Sequence, residues 1–313
     1  MVPAIATPLE TIQTPIQQLI ANLGTVVVGK QEAIELVLVA LFSGSHVLLE
    51  DVPGVGKTLL AKALARSIDG KFQRIQCTPD LLPSDLTGTN IWNAHEGKFE
   101  FLAGPIFANV LLADEINRAT PRTQSALLEV MEETQVTVDG VSHRVGEPFF
   151  VIATQNPIES HGTFPLPEAQ LDRFALALSL GYPTADEEME MLQRSQTGLR
   201  LEALKPCISL EQVRQIQVKC LEVKVERSLQ QYILNLVRAT REDSDIRLGV
   251  SPRGTVTLQR AAQSLAFLEH RDYVLPDDIK RLAPYVLSHR IIPSGGQPPQ
   301  RIIERLLKSS PIP

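Results

Sequence analysis

The sequence has 313 residues, of which 43% are hydrophobic and 21% charged, a composition typical of a globular protein long enough to form two domains. Thirty lysines and arginines against 36 aspartates and glutamates give a formal net charge of −6, which disfavours sequence-independent wrapping of nucleic acid by the whole surface. The three cysteines, Cys77, Cys207 and Cys220, show no metal-ligand spacing, so we expect free thiols in a reducing compartment and a cytoplasmic localisation.

Residues 1–25 predict a loose, proline-marked arm followed by a short amphipathic helix. Apolar residues recur at helical spacing from Ile12 to Ile20, up to a stop at Gly24. The stretch lacks the basic region and apolar core of a secretory signal, and the longest aliphatic run, 36–42, is too short to cross a bilayer. We therefore expect neither secretion nor membrane insertion.

Residues 26–182 follow the alternating pattern of an α/β domain. Helices are predicted over 31–42 and 57–68. Short apolar strands are predicted over 46–50, 72–77, 109–113, 149–154 and 174–180. Because five apolar strands are separated by helices, we expect a parallel sheet that is covered on both faces.

Residues 183–313 predict a separate, all-helical domain after a break at 181–184. Amphipathic runs are predicted to form helices over 185–194, 210–218, 228–241, 253–270 and 276–287. A loop over 291–300, rich in glycine and proline, precedes a last short helix.

The strongest chemical signal lies at 51–58, between a predicted strand and a predicted helix. In a phosphate-binding loop, glycines let backbone N–H groups face inward, and the N-terminus of the next helix favours an anion. Lys57 would then reach the β and γ phosphates of a nucleotide, and the Thr58 hydroxyl would bind magnesium. The general motif has glycine where this chain has Asp51, and a glycine-rich turn with a surface lysine is the alternative. The candidate nucleotide-binding residues here are Asp51, Val52, Pro53, Gly54, Val55, Gly56, Lys57, Thr58 and Leu59.

A second strand supplies the acidic residues that such a site needs. The predicted strand 109–113 is followed directly by Asp114 and Glu115. Magnesium prefers hard oxygen ligands, so Asp114 would hold the metal, while Glu115 would accept the proton of the attacking water. The next strand leads to Asn156, which could position that water, although asparagine before proline is also a common turn opening.

These motifs resemble the AAA+ ATPases, and specifically the MoxR branch of the class that carries an insert in its second helix. The resemblance covers most of the chain, from about Val26 to beyond Arg253, and aspartate at position 51 is usual in that family. The strings that carry it are Val-Gly-Lys at 28–30, Glu-Asp-Val-Pro-Gly at 50–54, Asp-Glu-Ile-Asn-Arg-Ala at 114–119 and Leu-Pro-Glu-Ala-Gln-Leu-Asp-Arg-Phe at 166–174. The resemblance implies a P-loop NTPase core of five parallel strands in the order 5-1-4-3-2, followed by a C-terminal helical lid.

The resemblance also implies roles that spacing alone does not show. Asn156 would sense the γ phosphate, Arg173 would be an arginine finger inserted into the site of the adjacent subunit, and Arg253 would be a second sensor that contacts phosphate from the lid. Gly29 would line the adenine pocket. The alternative for Arg173 is a surface ion pair, and for Arg253 a position in the first turn of a helix that the helix dipole disfavours.

Two segments predict hairpins. Residues 137–142 contain the Asp139-Gly140 pair of a two-residue turn, and the family counterpart of this hairpin faces the pore of a ring. Residues 90–107, with a turn at 95–98, would be the insert in the second helix. Both segments fit plain surface hairpins equally well.

The sequence therefore predicts an ATP hydrolase of the MoxR type that binds ATP and Mg²⁺ and remodels or matures protein partners. We expect it to assemble into a homo-oligomeric, hexameric ring. Candidate clients are proteins with a von Willebrand factor A domain, and Arg118 and Arg122 are further candidates for contacts between subunits. One alternative is a nucleotide-gated scaffold with slow hydrolysis, against which Glu115 and Arg173 argue. The other is a nucleic-acid translocase, against which the acidic charge balance argues.

Overall fold

The structure is a computed structural model, and it describes residues 9–157, 162–197 and 201–312. The helices are α1 (Leu9–Val26), α2 (Gln31–Phe42), α3 (Lys57–Ser67), α4 (Pro83–Thr87), α5 (Pro121–Glu133), α6 (Glu168–Leu171), α7 (Ala185–Thr197), α8 (Leu210–Glu222), α9 (Arg227–Glu242), α10 (Pro252–Leu268), α11 (Pro276–Leu287) and α12 (Pro299–Ser309). The strands are β1 (His46–Glu50), β2 (Phe72–Gln76), β3 (Gly88–Asn93), β4 (Lys98–Ala103), β5 (Val110–Asp114), β6 (Gln135–Val138), β7 (Val141–Arg144), β8 (Phe150–Gln155), β9 (Phe174–Leu178), β10 (Ile246–Leu248) and β11 (Ile292–Pro293). The predicted N-terminal arm, residues 1–8, lies outside the described residues.

Five parallel strands form the central sheet, in the order β2-β5-β8-β1-β9. Numbered by their succession in the chain, these strands run 2-3-4-1-5, which is the predicted order read from the other edge. The central strands β5 and β8 are buried along almost their whole length. Continuous burial of this kind is typical of a sheet with helices on both faces, so the predicted α/β core is confirmed.

The two faces of the sheet lie in separate hydrophobic cores. On β1, Val47 and Leu49 pack in a core that includes α2, α3 and the C-terminal helices. Leu48 points to the other face, where it packs in a core with Leu127 and Leu128 of α5. This division follows from the strand period of two, which sends successive side chains to opposite faces.

Helices dominate the C-terminal part of the chain, as predicted. The helix α10 lies at its centre and contacts α8, α9 and α11. Its N-terminus is fixed by Ser251, whose Oγ accepts a hydrogen bond from the Gly254 N–H at 3.2 Å. One difference from the all-helical prediction is an antiparallel pair of short strands, β10 and β11. Strands of two or three residues are too short to show a hydrophobic period, and β11 lies in the predicted loop 291–300.

Both predicted hairpins are present. β6 pairs with β7 through a turn in which Asp139 and Gly140 have φ of 50° and 81°, the left-handed conformation that a two-residue turn of this kind requires. β3 pairs with β4 in the same antiparallel manner. The two hairpins lie side by side, since the Asn90 Nδ2 donates to the Asp139 Oδ2 at 2.7 Å.

Two further features concern the helices. The helix α1 passes the predicted stop at Gly24 and ends at Val26, because Leu23 and Val27 continue its buried face. In the part of the chain that the structure describes, no helix combines the length and the apolar character needed to cross a membrane.

Candidate active site

The loop between β1 and α3 has the conformation of a phosphate cradle. Gly54 and Gly56 have φ of 90° and 100°, values that residues with a Cβ rarely adopt. A Cβ built on either glycine would meet no atom within 4 Å, so there is open space in front of the loop. The first turn of α3, which follows Gly56, also has N–H groups without intrahelical partners. The loop and the helix therefore offer backbone donors to an anion.

Lys57 lies inside this loop. Its Nζ donates to the backbone carbonyl oxygens of Asp51 at 2.9 Å and of Val52 at 3.0 Å. These carbonyls hold the ammonium group at the cavity wall. Because a phosphate oxygen is a stronger acceptor for an ammonium group than a neutral carbonyl, the lysine can exchange these partners for an anionic ligand.

Asp51 uses its side chain for a different purpose. The carboxylate is buried and accepts hydrogen bonds from Ser179 Oγ at 2.6 Å, from the Leu180 N–H at 2.7 Å and from the Gly181 N–H at 3.0 Å. These three residues follow β9 and lead toward the C-terminal helices. Aspartate at the position where the general motif has glycine therefore ties the phosphate loop to the connection between the two parts of the chain.

The acidic pair lies at the carboxyl end of β5. Asp114 pairs with Arg74, whose Nη2 lies 2.8 Å from its Oδ2, and accepts a hydrogen bond from Thr154 Oγ1 at 2.8 Å. The same Thr154 oxygen accepts the Glu115 N–H at 2.9 Å. Glu115 has φ of 56°, a left-handed conformation that costs energy in a residue with a side chain, and the bond to Thr154 helps to hold it.

The Glu115 carboxylate is engaged within its own subunit. Its Oε2 accepts a hydrogen bond from Gln76 Nε2 at 3.0 Å and lies 2.9 Å from Arg118 Nε. The predicted interface candidate Arg118 therefore contacts the acidic pair of its own chain, whereas Arg122 is exposed in the first turn of α5. Burial raises the pKa of the neighbouring Cys77 thiol to about 12, and the charges of Asp114 and Glu115 add to this effect.

A single cavity of about 350 Å³ unites most of the predicted nucleotide-binding residues. Its lining comprises Pro53, Gly54, Gly56, Lys57, Thr58, Leu59, Arg74, Gln76, Asp114, Glu115, Thr154 and Asn156. We call it the nucleotide cavity. Four predicted residues are not in this lining, namely Gly29, Asp51, Val52 and Val55. Gly29 packs instead against α7, where a Cβ built on it would lie 1.9 Å from Glu187 Oε1.

Arg173 and Arg253 lie in a second cavity, of about 210 Å³, which we call the arginine cavity. Arg173 directly precedes β9, and Arg253 lies in the first turn of α10. Both contact one carboxylate, that of Glu132: Arg173 Nη2 lies 3.0 Å from its Oε2, and Arg253 Nη2 contacts its Oε1. The structure therefore brings these two predicted arginines together, but away from the predicted phosphate site of the same chain.

The two cavities lie at opposite ends of the strands of the central sheet. The nucleotide cavity is lined by residues at the carboxyl ends of β5 and β8, whereas the arginine cavity is lined by His46 and Ala175, at the amino ends of β1 and β9. The five-residue strand β1 spans about 16 Å between these ends. An arginine side chain cannot bridge such a distance through the packed sheet.

The matches to known proteins decide the family. A family model described as the ATPase family associated with various cellular activities (AAA) matches residues 46–176, and the model of the AAA lid domain matches residues 238–306. The chain is 40% identical over 312 residues to Chaperone MoxR1 of Mycobacterium tuberculosis, a match that covers 95% of this chain and 82% of the relative. The chain belongs to the MoxR family of AAA+ ATPases.

Two further matches extend over most of this MoxR-family chain. The protein YeaC of Bacillus subtilis is 52% identical over 273 residues, which cover 87% of this chain and 85% of the relative. A crystal structure of a protein from Cytophaga hutchinsonii, described as a candidate ATPase, is 41% identical, with a TM-score of 0.91 and 97% of both chains covered. As a MoxR-family AAA+ ATPase the protein is an ATP hydrolase, with the P-loop core and helical lid of that family.

Sequence reasoning missed three residues of the nucleotide cavity in this MoxR-family protein. Arg74 and Gln76 lie on β2, at the edge of the sheet, and Thr154 lies near the end of β8. The carboxyl ends of parallel strands meet at one edge, so polar residues near any strand end were candidates. Their partners could not be assigned without the strand register, which places Gln76 opposite Asp114.

Proposed function

We propose that this protein binds ATP with Mg²⁺ in its nucleotide cavity, hydrolyses it with arginines from an adjacent subunit, and uses the cycle to remodel protein partners. The observation that carries the proposal is the separation of the two cavities, because Arg173 and Arg253 lie at the sheet edge opposite to their own phosphate loop. In a ring, the arginine cavity of one subunit can face the nucleotide cavity of the next. AAA+ ATPases form such oligomeric rings, and we propose a hexamer here.

The residues of the nucleotide cavity fit a nucleotide bound with magnesium. The open glycine loop suits phosphate oxygens, and the Thr58 hydroxyl and the Asp114 carboxylate are hard oxygen ligands that would hold Mg²⁺. Bound there, Mg²⁺ would neutralise charge on the phosphates. Lys57 would give up its loop carbonyls for phosphate oxygens, and Asp114 would give up its ion pair with Arg74.

Three groups act on the attacking water and the developing charge. Glu115 leaves Gln76 and Arg118 and accepts the proton of the water, while the Asn156 side chain positions that water. Arg173 of the adjacent subunit neutralises charge on the transferred phosphoryl group, an effect worth about 10³- to 10⁵-fold in rate, or roughly 4 to 7 kcal/mol. Because Arg253 lies beside Arg173, we assign it to the site of the adjacent subunit as well.

The proposed activity on protein partners is chaperone-like remodelling. The relative from Mycobacterium tuberculosis bears the name of a chaperone, which supports a chaperone-like role here. We propose that the paired hairpins β3–β4 and β6–β7 face the pore of the ring and contact client proteins, among which proteins with a von Willebrand factor A domain are candidates. The exposed Trp92 and Phe99 side chains on the first hairpin suit contacts to unfolded or apolar client segments. We place this activity in the cytoplasm.

Isothermal titration calorimetry and steady-state turnover separate nucleotide binding from chemistry in this proposal. Glu115→Gln should retain near-native affinity for ATP while its turnover falls by orders of magnitude, because the carboxylate acts only on the attacking water. Lys57→Ala should weaken ATP binding itself, because the ammonium group contacts phosphate in the ground state and in the transition state. Unchanged binding by Lys57→Ala, or an equal loss of affinity in Glu115→Gln, would refute the assigned roles.

A further inference from the structure

The arginine cavity contains a carboxylate that no step of the proposed hydrolysis uses. Glu132 lies in the last turn of α5, and each of its two oxygens contacts a different guanidinium group, one on Arg173 and one on Arg253. α5 and Arg173 belong to the part of the chain around the sheet, whereas Arg253 lies on the C-terminal helix α10. One side chain thus joins the two arginines and the two parts of the chain.

The charge balance of the cavity favours replacement of this carboxylate by a stronger anion. A third arginine, Arg260, lines the same cavity, two turns along α10 from Arg253, and makes no ion pair within the described ranges 9–157, 162–197 and 201–312. The other acidic residue in the lining, Asp172, is already paired with the buried Arg290 at 2.9 Å. Within this lining, Glu132 is therefore the carboxylate left to balance three guanidinium groups, and it contacts two of them, on Arg173 and Arg253. A multiply charged phosphate would neutralise the arginines better.

The local scaffold fixes the start of the helix that carries Arg253. Ser251, the N-cap of α10, donates a hydrogen bond from its Oγ to Asp172 at 2.8 Å, which fixes the helix start beside Arg173. Burial lowers the pKa of Arg290 to about 10, with Asp172 opposing the shift, so the guanidinium that completes this support remains charged at neutral pH.

We propose that Glu132 is a positioning residue that holds Arg173 and Arg253 side by side in a subunit without a neighbour, and that it gives them up to the γ phosphate in the adjacent subunit's nucleotide cavity. This inference rests on the proposed shared site. The Glu132 side chain is 37% exposed, and those of Arg173 and Arg253 are 28% and 46% exposed, so all three are accessible to a docking subunit. Glu132 then competes with assembly, and its removal favours the assembled state.

Assembly with a non-hydrolysable ATP analogue and Mg²⁺ tests the exchange. Glu132→Gln keeps the shape of the side chain and removes its charge, so the protein concentration at half assembly, measured by mass photometry and sedimentation velocity, should fall roughly three- to tenfold. The matched control is Glu133→Gln, which removes the same charge from the same turn of α5 at a residue that does not line the arginine cavity. The assembly midpoint of this control should match that of the wild type. An unchanged or higher midpoint for Glu132→Gln, or an equal shift in the control, would overturn the proposal.

Arginine labelling by phenylglyoxal at protein concentrations below assembly tests the contact without hydrolysis or a neighbour. Peptide mass spectrometry should show several-fold faster labelling of Arg173 and Arg253 in Glu132→Gln than in the wild type, with Arg260 as an internal reference of unchanged rate. Equal rates at Arg173 and Arg253 in the two proteins contradict the positioning role. If the wild type itself fails to assemble with nucleotide, the shared site is wrong; if it assembles normally but Glu132→Gln shifts neither readout, only the role of Glu132 is wrong.

Discussion

The nucleotide cavity and the arginine cavity differ in what holds their charged side chains. In the nucleotide cavity, Lys57 is held by the backbone of its own loop, and the Asp114–Glu115 pair is held by the buried Thr154. In the arginine cavity, Arg173 and Arg253 come from different parts of the chain and share the exposed Glu132. We infer that the first cavity is organised within one subunit, whereas the second responds to movement of the lid and to the arrival of a neighbour.

Arg173→Ala should have the largest effect, because it should abolish turnover while leaving ATP binding in the nucleotide cavity intact. Turnover should fall about 10³- to 10⁵-fold, because the developing charge on phosphate loses its guanidinium partner. ATP binding to the isolated subunit, measured by calorimetry, should keep its affinity, because Arg173 lies outside the nucleotide cavity of its own chain. A large loss of affinity in the isolated subunit would place Arg173 in its own site. Lys280→Ala, a change of the same kind on the distant helix α11, serves as a control for a lost surface cation.

His46, which lines the arginine cavity, should make the free energy of unfolding depend on pH. Its Nδ1 accepts the Val151 N–H at 3.1 Å, so its Nε2 carries the proton that is donated to the Met131 carbonyl at 3.1 Å. Burial lowers the pKa of His46 to about 4, from 6.5. Between these values the unfolded chain binds a proton that the folded chain excludes. The free energy of unfolding should therefore be highest above pH 6.5 and lose up to about 3 kcal/mol from this group as pH falls to 4.

Urea unfolding at pH 7.5, 6.5, 5.5 and 4.5 measures this contribution. His46→Asn retains an acceptor for the Val151 N–H but cannot titrate. The variant should be less stable than the wild type at pH 7.5, and its stability should decline less steeply on acidification. Burial also lowers the pKa of His289, with Arg290 adding to the shift, so part of the acid dependence should persist. Parallel declines in the two proteins would exclude His46 as its source.

Shortening the β6–β7 hairpin should have the smallest effect on either cavity. Replacement of residues 136–144 by a bare turn removes the Asp139 contact to Asn90 but no residue that lines the nucleotide cavity. Basal ATP turnover should stay within about twofold of the wild type, whereas any stimulation of turnover by a client protein should disappear. A collapse of basal turnover in a variant with wild-type circular dichroism would show that the hairpin supports the sheet instead.

The sequence was sufficient to predict the strands of the sheet and several of the site residues that directly follow them in the chain. Apolar strands and the glycine loop have local periodicity and spacing, so the strand positions and the cavity-lining residues Lys57, Asp114, Glu115 and Asn156 could be predicted. The role of Asp51 could not, because its carboxylate binds residues 179–181, which are distant in the chain. The pairing of Arg253 with Glu132 likewise depends on how the lid packs, which no local pattern encodes.

Mixing two inactive variants tests the shared site most directly. Glu115→Gln and Arg173→Ala subunits should each be nearly inactive, because each removes one half of every site. When they are mixed and allowed to exchange, some interfaces will join an intact Glu115 to an intact Arg173 from the neighbour. ATP turnover of the mixture should recover to a fraction of the wild-type value that rises with protein concentration. If both variants assemble and exchange, as shown by mass photometry, and the mixture remains as inactive as its parts, the two cavities do not form one site.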